Sequence, residues 1–407
     1  MKIGHAATRA AKVLRDGWMI LGVTVVLIVG LEIAYRAQGA ARRAVAGLAA
    51  PAPAPRAAAP PSPFEATDWA DDYWLGHALE EAVEWTPYVY IRNPTFTAPY
   101  HETDSLGRRV TPHPEPNGGR PLRVFFLGGS TTFGWYQRGD FTIPAEAARR
   151  LQEEVGDTIQ VEVTNFGVPG QTFTQEIIEL MLQLRSGQRP DIVVFYDGIN
   201  DVMATIQNGR AGLPQNEANR RADFARGRRL AEESQPGLAN RLRPVGRFAS
   251  WAALQLEFVQ RVLEVRDSRA APADAVSIDA LASSSVEVYV ENVRLVEALS
   301  ASYGFQPVYV WQPALLSTGK PLTEREKWLF RPQPIGDLHQ AIPPLLGPAV
   351  TPVAGDRFVD ATGLFDDDSL EVFVDEYGHT YERANPVIVD MLLPHLLAAT
   401  ERARDSR

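Results

Sequence analysis

The chain has 407 residues, of which 45% are hydrophobic and 22% charged, so it can bury a full core, and its length indicates about two to three folded units. Its net charge of −10 argues against a general nucleic-acid-binding protein, because such proteins need a basic surface to displace counterions from phosphates. The absence of cysteine excludes disulfides, a thiolate nucleophile and cysteine-ligated zinc. Any covalent catalysis must therefore use another side chain.

An apolar run near the N-terminus has the length of a membrane-spanning helix. Residues 18–36 approach the roughly 20 apolar residues that cross a bilayer, and we interpret Glu32 near their end as interfacial. Lysines and arginines in residues 1–17 favour a cytoplasmic tail and an exported remainder. The run therefore predicts a transmembrane signal anchor, with a cleaved signal peptide as the alternative. The protein is then a single-pass protein of the inner or cell membrane, with its catalytic domain periplasmic or extracellular.

Two segments separate this run from the first clear α/β pattern. Alanine and proline dominate residues 37–65, a composition that favours an extended linker and offers no core. Residues 66–120 carry several tryptophans and tyrosines, and they predict an irregular or β-rich lead-in packed on the domain that follows.

Residues 121–407 predict one α/β domain. Short β-branched or aromatic runs alternate with stretches of helical period, which is typical of a parallel sheet. The fold class is α/β, with a three-layer α/β/α arrangement and a mostly parallel, flavodoxin-like sheet, preceded by one transmembrane helix. The predicted strands are Leu122–Leu127, Val161–Phe166, Ile192–Tyr196, Pro307–Trp311 and a segment near Phe358, and the predicted helices are 142–155, 173–186, 286–303 and 382–402.

An arginine-rich stretch at about 202–285 interrupts this alternation and predicts a helical insertion. The ordinary explanation of such a run is a solvated helix face, and binding of an anionic polysaccharide or a lipid headgroup is the alternative. Its clustered arginines are Arg220, Arg221, Arg226, Arg228 and Arg229.

Three loops that follow predicted strands have unusual composition. They are Gly128–Gly134, Asn165–Thr172 and Asp197–Asp201, and each combines glycine with polar side chains. In open α/β sheets, ligands collect at the carboxyl ends of the strands, so these loops meet at one rim. Each loop alone is better explained by a helix N-cap or a turn. Their order, followed by a late acid and histidine, favours a site.

Ser130, in the first of these loops, needs a base if it is to act as a nucleophile, and an imidazole suits that task near neutral pH. His379 is the best candidate, because it lies in a turn before the last predicted helix with Glu376 and Asp375 three and four residues upstream. The other histidines lack such a context: they are His5, His77, His101, His113, His339 and His395.

In the order of these motifs, residues 122 to 400 resemble the SGNH, or GDSL-like, hydrolases. The resemblance implies that Ser130 is the nucleophile, His379 the base, and Gly170 and Asn200 the glycine and asparagine of the oxyanion hole, together with the backbone N–H of Ser130. Gly167 is an alternative to Gly170.

The chain departs from the family pattern at two places. This chain has Gly-Gly-Ser-Thr in place of the Gly-Asp-Ser-Leu motif after which the family is named. The difference leaves the turn and the serine hydroxyl in place. The usual acid lies three residues before the histidine, where this chain has Glu376, while Asp375 lies four before it. We favour Asp375 because aspartate is the family's residue, and Glu376 is the alternative acid.

The resemblance implies a carboxylic-ester hydrolase that works through an acyl-serine intermediate and requires neither cofactor nor metal. The preferred substrate is an O-acyl ester, especially an O-acetyl ester, on an extracytoplasmic glycan. The nearby aromatics Trp135, Tyr136 and Trp311 suggest the glycan. The alternatives are an acyltransferase to a cell-envelope polysaccharide with the same site, and a non-catalytic envelope scaffold. The expected partners are an acylated small molecule or glycan and the membrane, but no nucleic acid.

Overall fold

A computed structural model of the chain describes residues 62–80, 83–222 and 277–405, with a few isolated positions before residue 61. The lead-in begins with helix α1 (Ala70–Glu80) and continues with two short antiparallel hairpins. Their strands are β1 (Glu84–Thr86), β2 (Tyr90–Arg92), β3 (Phe96–Ala98) and β4 (His101–Thr103).

A five-stranded parallel sheet follows in the spatial order β6-β5-β7-β8-β9. Its central strands are continuous runs of buried apolar residues, as expected where helices cover both faces of a parallel sheet. All five strands end at the same edge, so the loops after them share one rim. The strands are β5 (Arg120–Gly128), β6 (Ile159–Gly167), β7 (Ile192–Asp197), β8 (Gln306–Trp311) and β9 (Phe358–Asp360).

Helices cover both faces of this sheet. Successive residues of a strand point to opposite faces of the sheet. Val124 and Phe126 of β5 therefore pack into one core, together with α3 (Ile143–Val155) and α10 (Asn385–Asp405). Phe125 and Leu127 pack into a second core on the opposite face. This confirms the predicted three-layer α/β fold. The second core is covered by α4 (Phe173–Arg185), α6 (Ile278–Tyr303), α8 (Pro334–Ala341) and α9 (Pro343–Ala354), and the remaining helices are α2 (Ser130–Phe133), α5 (Ile199–Asn208) and α7 (Glu324–Leu329).

The predicted insertion overlaps regular structure at both of its ends. Helix α5 occupies Ile199–Asn208, and α6 begins at Ile278, earlier than the predicted start at residue 286. Ser277 caps α6 by accepting a hydrogen bond from the Ala280 N–H, a local signal for the earlier start. The arginines at 226, 228 and 229 lie outside the described residues.

The predicted transmembrane helix at 18–36 falls mostly outside the described residues. Among the helices that the structure does describe, none combines the length and the apolar character needed to cross a bilayer. This finding contradicts the predicted single-pass location in the inner or cell membrane with an exported catalytic domain.

A buried ion pair holds the chain segment that leads to His379. Both side chains of Lys320 and Glu326 are fully buried, with the Lys320 Nζ donating to Glu326 Oε2 at 2.5 Å. The other Glu326 oxygen accepts hydrogen bonds from the backbone N–H groups of Val372 (2.9 Å) and Phe373 (3.2 Å). Burial disfavours the charged carboxylate, but Lys320 and these donors hold the pKa of Glu326 below its usual value.

Replacing Lys320 with methionine should therefore strongly destabilise the fold. The change leaves the Glu326 carboxylate buried without its cation, and breaking such a pair typically costs about 3–5 kcal/mol in the free energy of unfolding. Urea unfolding followed by circular dichroism measures this loss. Lys327→Met is the matched control, because Lys327 pairs with Glu324 on the exposed side of α7. Equal effects of the two variants would contradict the account.

Candidate active site

Ser130 begins the short helix α2 directly after β5 and is 7% exposed. Its turn needs glycine at position 129, because a Cβ there would lie only 1.9 Å from the Asn200 side-chain nitrogen. Ser130 N–H is at the first position of the helix, where no intrahelical acceptor exists. The turn therefore presents a hydroxyl and a free backbone donor at the rim of the sheet.

His379 lies beside this hydroxyl, with its Nε2 2.6 Å from Ser130 Oγ. The opposite ring nitrogen, Nδ1, hydrogen-bonds the Asp375 carboxylate. A tight loop brings Asp375 to the imidazole, although it lies four residues before His379. This loop is closed by a hydrogen bond from the Val374 N–H to the His379 carbonyl at 2.9 Å. The Glu376 carboxylate instead lies near the Tyr377 hydroxyl, where burial and this neighbouring charge raise the pKa of Tyr377. Ser130, His379 and Asp375 thus form one hydrogen-bonded chain.

Two glutamines tie the serine turn to the histidine turn. Gln312, which directly follows β8, donates from Nε2 to Thr131 Oγ1 at 3.3 Å, and a Cβ on Gly378 would lie 2.6 Å from the same nitrogen. Gln137 donates to the carbonyl of Thr380 at 2.9 Å. Sequence reasoning missed both residues. Gln312 could have been found, because it occupies the end of the fourth strand at the rim already inspected.

Gly170 and Asn200 both lie near Gln215 and each has an available donor, whereas Gly167 does not. The Gly167 N–H is occupied by Asn165 Oδ1 at 2.8 Å, and a Cβ on Gly167 would lie 2.3 Å from the backbone nitrogen of Phe133. Gly170 adopts a φ of 78°, which favours glycine, and its N–H has no acceptor among the described residues. Of the two candidate glycines, Gly170 therefore has the available donor.

Asn200 is 8% exposed, and its amide nitrogen lies against Gly129. Its side-chain oxygen accepts a hydrogen bond from Gln215 Nε2 at 3.1 Å. Gln215 follows α5 in a turn and was not predicted from the sequence, because no local pattern marks it. The amide of Asn200 thus has its acceptor end occupied and its donor end directed at the serine turn.

The three predicted aromatic residues have different environments. Trp135 and Tyr136 flank the His379 imidazole, with ring centroids 5.1 and 5.4 Å away, and both are partly exposed. Trp311 is only 1% exposed and packs against Tyr289 in the second core. Trp311 therefore cannot contact a sugar at the rim, and that expectation was wrong.

A cluster of carboxyl groups lies beneath the loop after β7. Glu176 and Asp197 are 1% and 3% exposed and lie close enough to interact electrostatically, and their carboxyl oxygens have no hydrogen-bond partner among the described residues. Burial, reinforced for Glu176 by Asp197 and for both by Asp201, raises the pKa of each well above its usual value. Burial also raises the pKa of Asp201 to about 7. The pair is stable only if it retains a proton.

A second serine–histidine contact lies deeper in the fold. His339 is fully buried, its Nδ1 is 2.7 Å from Ser317 Oγ, and burial lowers its pKa to about 4. Its Nε2 has no partner within the described part of the chain. No acid of the described residues orients this imidazole, so the pair lacks the third member found beside Ser130. Among the described residues, no cluster of three or more histidine, aspartate or glutamate side chains could hold a metal ion.

A three-layer fold with a hydrogen-bonded serine, histidine and aspartate at the carboxyl edge of its sheet has the arrangement of α/β hydrolytic enzymes. Residues 124–283 match the model of the family described as GDSL-like Lipase/Acylhydrolase. This part of the chain is therefore similar to GDSL-like lipases and acylhydrolases, and the match supports carboxylic-ester hydrolase as the enzyme class. The matched residues include Ser130, Gly170 and Asn200 but end before His379.

The chain is also similar to several solved structures. LAE5, an alpha/beta hydrolase enzyme from the metagenome of Lake Arreo, Spain, is 14% identical over 71% of this chain and 99% of its own, with a TM-score of 0.35. A member of the lipolytic protein G-D-S-L family from Veillonella parvula is 11% identical over 67% and 97%, with a TM-score of 0.37. Axe2, an acetylxylan esterase from Geobacillus stearothermophilus, is 14% identical over 68% and 94%, with a TM-score of 0.33. No curated protein matches the sequence.

The carboxyl cluster predicts a loss of stability as the pH rises. In the unfolded state these carboxyl groups titrate near about pH 4, whereas their pKa values in the folded state are higher. Above that pH the folded state therefore binds more protons than the unfolded state. The stability that the cluster contributes is fully present below that pH and is lost as the pH rises through the folded-state pKa values. Glu176→Gln removes one of these protons and lets an amide donate to Asp197. We expect the melting temperature of this variant to exceed that of the wild type at pH 8.5 and the difference to shrink at pH 5.

Glu291→Gln, on an exposed position of α6, is the control and should follow the wild type at both pH values. If Glu176→Gln gave the same difference from the wild type at pH 5 and pH 8.5, the shared proton would be refuted.

Proposed function

We propose that this protein hydrolyses O-acyl esters, with O-acetyl groups on a glycan as the preferred substrate, through an acyl-serine intermediate at Ser130. The observation that carries this proposal is the continuous hydrogen-bonded order of Ser130, His379 and Asp375. In that order a hydroxyl contacts a base, and the base contacts a carboxylate, which is the arrangement that activates a serine nucleophile.

In the proposed reaction, Ser130 Oγ attacks the ester carbonyl carbon while its proton moves to His379 Nε2. The resulting imidazolium is stabilised by Asp375, which holds the Nδ1–H tautomer. When the tetrahedral intermediate collapses, the C–O bond to the alcohol breaks and His379 returns its proton to the leaving oxygen. A water molecule, deprotonated by the same imidazole, then attacks the acyl-serine and releases the carboxylic acid and the free serine.

Three donors would stabilise the negative charge that develops on the carbonyl oxygen: the backbone N–H of Ser130, the backbone N–H of Gly170 and the side-chain amide of Asn200. Each has its hydrogen available at the rim, as described above. Removing one such donor typically raises the barrier by about 3–4 kcal/mol, because the donors are already oriented before the charge appears.

The preference for a glycan ester is supported by the aromatic pair beside the base. Trp135 and Tyr136 lie within 5.4 Å of the His379 ring and are both partly exposed, so they offer an apolar face next to the reacting atoms. A sugar ring can stack on such a face while its O-acetyl group reaches Ser130. An acylated small molecule with an aromatic alcohol would use the same face.

Substitutions at the two candidate acids test the proposed site directly. Asp375→Asn should lower kcat/KM for p-nitrophenyl acetate by about 10⁴-fold, because the amide stabilises the wrong imidazole tautomer. Ser130→Ala should lower it by at least about 10⁴-fold, since the nucleophile is lost. Glu376→Gln is the matched control and should leave kcat/KM unchanged.

A large loss in Glu376→Gln together with an active Asp375→Asn would reverse the assignment of the acid. Turnover that persists unchanged in Ser130→Ala would refute the proposed nucleophile. Incubation of the wild type with an O-acetylated donor and a glycan acceptor separates hydrolysis from transfer, because acetylated acceptor without free acetate would establish an acyltransferase instead.

A further inference from the structure

Gln215 hydrogen-bonds one of the three loops that form the site and lies close to a second. It lies in the turn after α5 and is partly buried. Its Nε2 donates to Asn200 Oδ1 at 3.1 Å, and a Cβ placed on Gly170 would lie 3.8 Å from its amide atoms. Gln215 therefore lies close to both Asn200 and Gly170, and none of its hydrogen bonds within the described part of the chain reaches Ser130.

The hydrogen bond from Gln215 distinguishes the two ends of the Asn200 amide. A primary amide that rotates by half a turn exchanges a donor for an acceptor with almost no change in shape. With Oδ1 engaged by Gln215, the nitrogen faces Gly129, next to Ser130. In the reversed orientation, an oxygen lone pair would face the developing negative charge and repel it.

We propose that Gln215 is a positioning residue that holds the Asn200 amide with its N–H directed at the oxyanion. This inference rests on the proposed function, since it assigns the orientation of one donor in that same site. The effect appears in the transition state, where the charge forms, so it should change kcat more than KM.

The turn that carries Gln215 is held by contacts that do not involve its side chain. The Gln215 carbonyl accepts a hydrogen bond from Arg220, whose guanidinium lies 4.4 Å over the Tyr90 ring. The next residue, Asn216, donates its N–H to Gln207 Oε1 at 3.1 Å. The side chain of Gln215 can therefore be changed while the backbone of the turn keeps its partners.

Gln215→Glu is the decisive variant. An ionised carboxylate only accepts hydrogen bonds, so it would draw the Asn200 nitrogen toward itself and direct the oxygen at the oxyanion. We expect kcat for p-nitrophenyl acetate to fall by about 100-fold at pH 8, close to the effect of losing an oxyanion donor. Gln215→Ala, which leaves either orientation open, should lower kcat by only about 2- to 10-fold.

The pH dependence and a double-variant cycle separate orientation from a general structural effect. As the pH falls toward the usual glutamate pKa of about 4.3, the protonated carboxyl can donate to Asn200 Oδ1 again, so the ratio of Gln215→Glu to wild-type kcat should rise. In an Asn200→Ala background, Gln215→Glu should change kcat by less than about twofold, because nothing remains to be oriented.

Gln207→Ala is the control, since it loosens the same turn but does not contact Asn200. Equal losses in Gln207→Ala and Gln215→Glu, or a pH-independent loss in Gln215→Glu, would overturn this inference while leaving the esterase intact. A wild type without Ser130-dependent turnover would overturn the proposed function, and this inference with it.

Discussion

One hydrogen bond brings together the two reacting groups, which lie 249 residues apart in the chain: Ser130 Oγ and His379 Nε2 are 2.6 Å apart. A contact of that length tolerates little movement, because a hydroxyl and an imidazole exchange a proton only within hydrogen-bond reach. The parallel sheet fixes Ser130 at the end of β5, which pairs with a strand on each side. His379, in contrast, is carried by an irregular segment after β9, and it must be held there by other means.

Buried polar groups supply that support. Glu326 and Lys320 anchor the segment before the histidine turn, Gln137 anchors the segment after it, and Gln312 lies between the serine and histidine turns. Such groups add less stability than apolar packing would, but each is directional and therefore specifies one arrangement. Glu176 and Asp197, beneath the loop after β7, have no hydrogen-bond partner among the described residues to offset their burial, which makes that part of the site sensitive to pH.

The fold and part of the site could be predicted because strand ends in a parallel sheet share one edge. That rule selects Ser130 and Asn200 from three weak loop patterns, and the need for a base selects His379. The rule does not reveal how the ends of an amide are oriented, so Gln215 had no signal in the sequence. Trp311 was misjudged because a strand-end aromatic can face either the rim or the core, and only packing decides. The predicted location was wrong: an apolar run and the basic residues before it predicted a membrane helix, whereas no described helix is long and apolar enough to cross a bilayer.

Covalent labelling tests the central claim most directly. Diethyl p-nitrophenyl phosphate phosphorylates an activated serine and releases p-nitrophenol, and peptide mass spectrometry locates the modified residue. The account predicts a single diethylphosphoryl group on Ser130, formed far more slowly in His379→Ala. Ser317 is the natural internal comparison, because it also contacts a histidine, His339. Modification of Ser317 or of any other residue, with Ser130 unlabelled, would contradict the assignment of Ser130 and His379 as nucleophile and base.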